Sequence, residues 1–368
     1  MVKVSLVSTP PDDNSGVGKY TRDLKEQLAE FVKIESRFIP VDSSNPIPFI
    51  KNALAAGSGD HDVVHVQYDY VLFGRFSIFT AVFFPLLYLL TRFNSTSVVI
   101  TMHEVINEDL VTPPVKNLKV VYVKMLNLIL AKTADHVIFL SPQTERRFTK
   151  SVSVQNTSQI PHGVTEADAK DLTIEAAKQK LGYHQQDIVI TEPGYVSPRK
   201  GSEMMVSLAK RLPEYEFLLA GGSPRDRHNE YIEEIMEQAP ENLQVTGILS
   251  DDEYEMAYIA SDLIILPYQE TQQGGVTNTV AQSGVFNDCV AREVPVLASD
   301  CEYFTTLQEE WGCIEVFTGS NDAANKIQGY IEGKDRRSQL IEQMGKFREA
   351  NSMREIALEH QNIYRSVV

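Results

Sequence analysis

Cysteine is scarce: Cys289, Cys301 and Cys313 are the only three among 368 residues. An odd number without metal-ligand spacing argues against a disulfide framework or a thiolate zinc site, and for a reducing, cytoplasmic compartment. Basic residues are also few. The 34 Lys and Arg face 50 Asp and Glu, a net charge of -16. Phosphate neutralisation needs clustered cations, so no nucleic acid is expected as a partner. Spanning segments are missing too. Phe76 to Thr91 is free of charge for sixteen residues, short of the ~20 a spanning helix needs, and Pro85 interrupts it. Met1-Val2-Lys3-Val4 runs straight into a strand pattern, so no secretory signal is expected. No His/Cys/Asp/Glu cluster shows ligand spacing, so neither a metal nor another cofactor is expected; Asp60-His61-Asp62 reads as a solvated turn before a strand. Two phosphate-loop fingerprints fail as well. Gly16-Val17-Gly18-Lys19 has Asp13 where a Walker motif needs its first Gly and Tyr20 where it needs Ser or Thr. The third glycine of a dinucleotide pattern would fall at Thr21.

What is present is the composition of a soluble enzyme, 43% apolar and 23% charged, in a chain long enough for two domains. Apolar, strand-like runs alternate with helical patterns. They fall at 3–7, 62–67, 97–102 and 136–140, and again at 188–191, 216–220, 243–246, 263–266, 295–298 and 314–317. This alternation predicts an α/β fold with mostly parallel sheets. Ile160 to Val164 closes the first half, and the polar stretch 165–186 reads as a linker. The expected domains are 1–165 and 166–349. The tail 352–368 is an amphipathic helix, with Met353, Ile356, His360 and Tyr364 on one side, and it needs an apolar surface to lie on.

Three stretches suit an anionic ligand. Ser283-Gly284 is a polar turn feeding a helix that carries Val285, Phe286 and Asp288. Such a start exposes free N–H groups and the positive end of the helix dipole. Gly194 to Gly201 is a turn with adjacent cations, Arg199 and Lys200, before another helix. Gly16 and Gly18 form a glycine turn after the first strand, where backbone can approach a ligand closely.

With these pieces assembled the chain resembles the retaining glycosyltransferases of family four, which have the GT-B fold. The likeness covers nearly the whole length. It rests on the order of the Gly16-Gly18 turn, His103 after its strand, Ile160-Pro161-His162-Gly163-Val164, Ser197-Pro198-Arg199-Lys200-Gly201 and Ala220-Gly221-Gly222. Ala260-Ser261-Asp262-Leu263, Gln282-Ser283-Gly284-Val285 and Ile356-Ala357-x-x-His360 continue it. The resemblance implies two Rossmann-like domains facing across a cleft, with the C-terminal helix (350–368) crossing back to the first. The C-terminal domain would bind a UDP- or GDP-sugar, and the N-terminal domain would present a glycan or lipid-linked acceptor. It implies donor binding by Gly16, Gly18, Arg199, Lys200, Ser283, Gly284, Val285 and Asp288, and catalysis by His103, Lys200 and Glu270. His103 would orient a sugar hydroxyl, whereas His65 and His162 read as structural.

Two departures stand out. Tyr195 occupies a place where the family often has Arg, which Arg199 would replace. Val280 occupies the first Glu of the family's Glu-x7-Glu motif, and Glu270, in an inserted-looking loop 269–279, would supply that carboxylate. Asp288 stands at the second Glu. Two other readings stay open: a GT-B sugar-nucleotide epimerase, and a non-catalytic binding subunit. Finally, 76–91 reads either as a core helix or as a peripheral membrane contact on the inner face of the plasma membrane. The aromatic residues Phe76, Phe79, Phe83, Phe84 and Tyr88 would make that contact between Arg75 and Arg92.

Overall fold

The computed structural model describes residues 1–11, 16–167, 172–223 and 228–368. Asp12 to Ser15, where the glycine turn begins, and 168–171 of the expected linker lie outside the described residues. The chain divides into two compact units. One comprises Met1–Gly163, Gln272–Gln282 and Asn351–Val368, the other Val164–Thr271 and Ser283–Ala350.

In the first unit, β1 (Lys3–Ser8), β2 (Lys33–Phe38), β3 (Val63–Tyr68), β4 (Ser97–Met102), β5 (His136–Phe139) and β6 (Thr157–Gln159) form a parallel sheet in the order β2-β1-β3-β4-β5-β6. Between them run α1 (Gly16–Leu28), α2 (Ile47–Gly57), α3 (Thr80–Asn94), α4 (Lys116–Thr133) and α5 (Pro142–Ser151). Parallel strands are covered on both faces, which is why they read as continuous apolar runs. One face packs Phe49, Phe83, Phe84, Leu126 and Phe148 from α2 to α5.

The second unit holds α6 (Ile174–Lys180), β7 (Val189–Pro193), α7 (Glu203–Arg211), β8 (Glu216–Ala220), α8 (Asn229–Gln238), β9 (Leu243–Val245), α9 (Asp251–Ala260) and β10 (Leu263–Leu266). After a hairpin, β11 (Thr271–Gln273) and β12 (Val276–Asn278), come α10 (Gly284–Ala291), β13 (Val296–Ser299), α11 (Glu302–Trp311), β14 (Glu315–Phe317), α12 (Gly319–Glu332) and α13 (Lys334–Ala350). Its sheet order, β9-β8-β7-β10-β13-β14, is that of a Rossmann fold, with the switch point between β7 and β10. The last helix, α14 (Met353–Val367), belongs to the first unit. Its Met353, Ile356 and Tyr364 join Tyr20 and Leu24 of α1 over the second face of the first sheet.

One local device recurs. Asp62, Asp135 and Asp262 each precede a strand, and each carboxylate accepts from the backbone N–H of a residue at the start of a neighbouring strand: Lys3 (2.8 Å), Val98 (2.8 Å) and Val189 (3.0 Å). Each satisfies an edge donor that the ladder leaves open. Asp262 also pairs with Lys178 at 2.7 Å.

Two expectations are corrected. The segment 272–282, placed by sequence in the second domain, packs with the first unit. Its hairpin bridges Val111 to Val276, and Thr277 N–H donates to Leu110 O at 2.7 Å. The polar sequence hid this, because the segment is held by backbone and side-chain hydrogen bonds rather than apolar burial; Gln143 and Arg147 donate to Val280 O and Thr279 Oγ1, both at 2.6 Å. The second correction concerns two of the aromatic residues of 76–91 expected at a bilayer. Phe83 and Phe84 are fully buried, packed against Tyr68 and Phe73, and cannot meet a bilayer. The run is apolar all round because its inner face fills the core while an outer face stays exposed.

Candidate functional site

In the second unit the expected residues gather at the C-terminal ends of β7 and β10, where an open α/β sheet binds ligands. After β7 the chain turns at Gly194 (φ +105°), whose N–H donates to Ala220 O at 3.0 Å. A Cβ at Gly221 would lie 1.9 Å from Gly194 O, so the two turns meet backbone to backbone. Pro198–Lys200 then forms a single 3-10 turn that ends at Gly201 (φ +73°). A Cβ at Gly201 would come within 2.0 Å of Pro267 O, just past β10. Glycine at both places lets the Lys200 turn pack directly on the end of the neighbouring strand.

Lys200 benefits from this approach. Its Nζ donates to the Tyr268 hydroxyl and lies 3.7 Å from the centre of that ring. The Tyr268 hydroxyl is 3.3 Å from Ser283 Oγ, and Ser283 caps α10 by accepting from Phe286 N–H at 3.2 Å. Gly284 is exposed, with open space where a side chain would stand. Val285 faces the Gly194 turn: a Cβ there would lie 3.4 Å from Val285 Cγ2. Asp288 follows on the second turn of α10, half-buried, with Arg292 Nη1 at 3.9 Å from its Oδ1. Arg292 is itself held by Glu255 at 2.9 and 3.0 Å.

The electrostatics are unusual for a turn. Although Lys200 keeps partial exposure, loss of hydration pushes its ammonium down to about 7, Arg199 adds to the effect, and Glu192 opposes it. Glu192, near the end of β7, is 3% exposed; its Oε1 accepts from Ser202 Oγ at 2.6 Å and its Oε2 has no partner among the described residues. Burial raises its carboxyl to about 8, against the pull of Ser202 and Lys200. Glu270, by contrast, is exposed just ahead of the hairpin, while Gln269 next to it braces the Lys200 turn through Arg199 O (3.0 Å) and Pro198 O (2.7 Å).

In the first unit, Gly16 and Gly18 open α1 after β1, and His103 follows β4. His103 is buried. Its Nε2 lies 2.7 Å from Gln67 Oε1 and its Nδ1 3.4 Å from Gln282 Nε2. Taking Gln67 Oε1 as the acceptor, Nε2 carries the proton. Tyr20 packs its ring between His103 and His162. Burial, with the charges of His162 and His360 adding to it, pushes His103 down to about 3. His65 continues the chain, bonding Tyr364 OH (2.6 Å) and Thr101 Oγ1 (2.8 Å). Sequence reasoning missed Tyr268, Glu192, Gln67 and Gln282. Only Gln282 lies within one of the motifs, and none of the four shows a spacing that marks it.

No family model matches the chain. The α-galactosylglucosyldiacylglycerol synthase of Streptococcus pneumoniae (strain ATCC BAA-255 / R6) is 28% identical over 141 residues, 36% of this chain and 37% of that protein. The match therefore spans little more than a third of either. Among solved structures, Anabaena HepE in complex with UDP superposes with a TM-score of 0.75 at 14% identity, covering 100% of both chains. Sucrose-phosphate synthase from Thermosynechococcus elongatus gives 0.71 at 18% identity, over 100% of this chain and 99% of that one. With two Rossmann-like units and these neighbours, the chain has the GT-B fold.

Proposed function

We propose that this chain is a retaining glycosyltransferase that moves a sugar from a nucleoside-diphosphate sugar to an acceptor hydroxyl. One observation carries the reading: Lys200 lies against Tyr268 beside the capped start of α10, at the switch point of a Rossmann-ordered sheet. A lysine hydrogen-bonded to a neutral phenol, rather than to a carboxylate, turns to an incoming anion at little cost. The diphosphate would take Lys200 and the amides after Ser283, which stabilise charge as it builds on the leaving group. Arg199 would add positive charge, and Asp288 would accept from ribose hydroxyls. Glu270 is the carboxylate assigned to the role that buried Val280 cannot fill. In retaining transfer the acceptor oxygen bonds the anomeric carbon on the face the diphosphate leaves, and its proton passes to the departing phosphate oxygen. Burial holds His103 at about 3, too weak a base to take a proton near neutral pH, so it would orient a sugar hydroxyl by accepting at Nδ1. Gly16 and Gly18 would let the α1 turn approach the donor. HepE structures hold UDP, UDP-glucose, or UDP with glucose, which favours a UDP-sugar. The pneumococcal relative is named for a diacylglycerol glycolipid, which favours a lipid-linked acceptor at a membrane face.

The test is to incubate the pure protein with UDP- and GDP-sugars, with and without glycosyl-diacylglycerol acceptor, and to follow the anomeric configuration by NMR. Transfer with retention, dependent on the acceptor, is expected. Epimerised or free sugar without acceptor would instead indicate the epimerase class, and no turnover with any donor would indicate a binding subunit.

A further inference from the structure

Twelve of the twenty-one large apolar side chains exposed among the described residues fall between Val71 and Leu128. They are not scattered. On α3 the exposed positions Val82, Pro85, Leu89 and Phe93 recur at helical spacing, while Phe83, Phe84 and Leu87 face inward. On α4, which packs beside α3, Leu118, Val121, Met125 and Leu128 share the outer face. Phe76 is 65% and Phe93 85% exposed. Tyr122 OH, on α4, donates to Phe76 O at 2.8 Å and ties the start of the α3 segment to α4. A surface helix ordinarily turns a polar face outward. These two turn apolar ones, side by side.

The charge around them is one-sided. Residues 75–95 and 115–134 hold Arg75, Arg92, Lys116, Lys119, Lys124 and Lys132 and not one Asp or Glu, so they carry +6 in a chain of -16 and leave -22 on the rest. Arg92 and Lys124 are partly matched from outside the two segments, by Asp135 (2.8 Å) and Glu108 (3.2 Å).

We infer that the outer faces of α3 and α4 form one docking surface for a bilayer bearing anionic headgroups. The apolar side chains would enter the headgroup–acyl boundary and the fringing Lys and Arg would stay among the phosphates. The remaining acidic surface is repelled by such a bilayer, which selects this face. A second copy of the chain fits less well, because a two-fold contact would set six cations against six. The surface deepens the membrane-face part of the proposed function, yet it contains no residue of the donor site, so the two can fail separately.

The experiment is flotation of the full chain with phosphatidylcholine vesicles and with phosphatidylcholine–phosphatidylglycerol vesicles, at low and high salt. Leu89→Ser/Phe93→Ser and Leu118→Ser/Val121→Ser are compared with the parent, each checked for an unchanged melting curve. The parent should float with the anionic vesicles, and less so at high salt. Each double variant should lose roughly tenfold or more in binding, since each removes two large apolar side chains from the contact. Absence of parent binding to anionic vesicles at low salt would overturn the inference, as would equal binding by folded variants. A concentration-dependent dimer abolished by the same variants, without vesicle binding, would assign the face to a second copy and also overturn it.

Discussion

Lys200 and Glu192 influence each other's charge from the end of β7, and each yields a pH-dependent outcome. Lys200 sits at about 7, far below an ordinary lysine. A bound diphosphate favours the ammonium, so at about pH 8 donor binding should take up close to one proton, and affinity should fall as pH rises from about 6 to about 9. Calorimetry in buffers of different ionisation enthalpy reads both effects. Buffer-independent heats with a flat affinity would contradict the assignment. Glu192 behaves oppositely in stability. Its folded value of about 8 lies above the ordinary 4.5. Between those two values the folded state therefore binds more protons than the unfolded one, and its contribution to stability is lost as pH rises through that window. Glu192→Gln, neutral at every pH, should be flatter between about pH 5 and 8 and more stable than the parent at the upper end. Urea unfolding across that range decides it; parallel parent and variant curves would show that Glu192 is ionised in the fold.

The Lys200 turn depends on backbone contact between elements. At Gly201 a Cβ would meet Pro267 O at 2.0 Å, and φ is +73°. Gly201→Ala should therefore cost at least ~2 kcal/mol and shift the Lys200 turn away from β10; a denaturation midpoint equal to the parent's would contradict this. Such glycines could be read in the sequence as turn residues, but not the backbone they touch. The same limit runs through the fold. The buried strands β3, β4 and β10 are apolar runs and could be placed closely. β2, KIESRF, is a half-exposed edge strand, and β6, TSQ, is a short polar one; neither carries an apolar signature. The hairpin TQQGGVTN was read as an insertion although Gly274-Gly275 marks its turn, because its partner, the Leu110–Thr112 segment, is over a hundred and fifty residues away. For 76–91 uniform apolarity could be read but no inner face, since only packing separates buried Phe83 from exposed Phe76. At the site, Lys200 and Ser283 stood out as a cation and a cap. Tyr268, which joins them, follows β10 as an ordinary aromatic residue.

At the scale of the whole molecule, each unit is a parallel sheet with a topological switch point, β1/β3 in one and β7/β10 in the other. The expected site residues follow strands at or next to those points, Gly16 and Gly18 at the start of α1 after β1, His103 after β4 and Gly194 to Lys200 after β7, and Tyr268, which was not expected, follows β10. A fold of this class hosts many functions, so the central claim rests on one local fact, a lysine held against the Tyr268 hydroxyl beside the capped start of α10 at the second switch point. Its most direct test is equilibrium titration of UDP- and GDP-sugars into the parent and into Lys200→Ala, with a melting curve for each protein. The account predicts saturable binding of at least one donor by the parent, and an affinity at least ~10-fold weaker in a folded Lys200→Ala protein, since a hydrogen bond to a charged group contributes ~1.5–3 kcal/mol. No binding of any donor, or unaltered affinity in the variant, would contradict it.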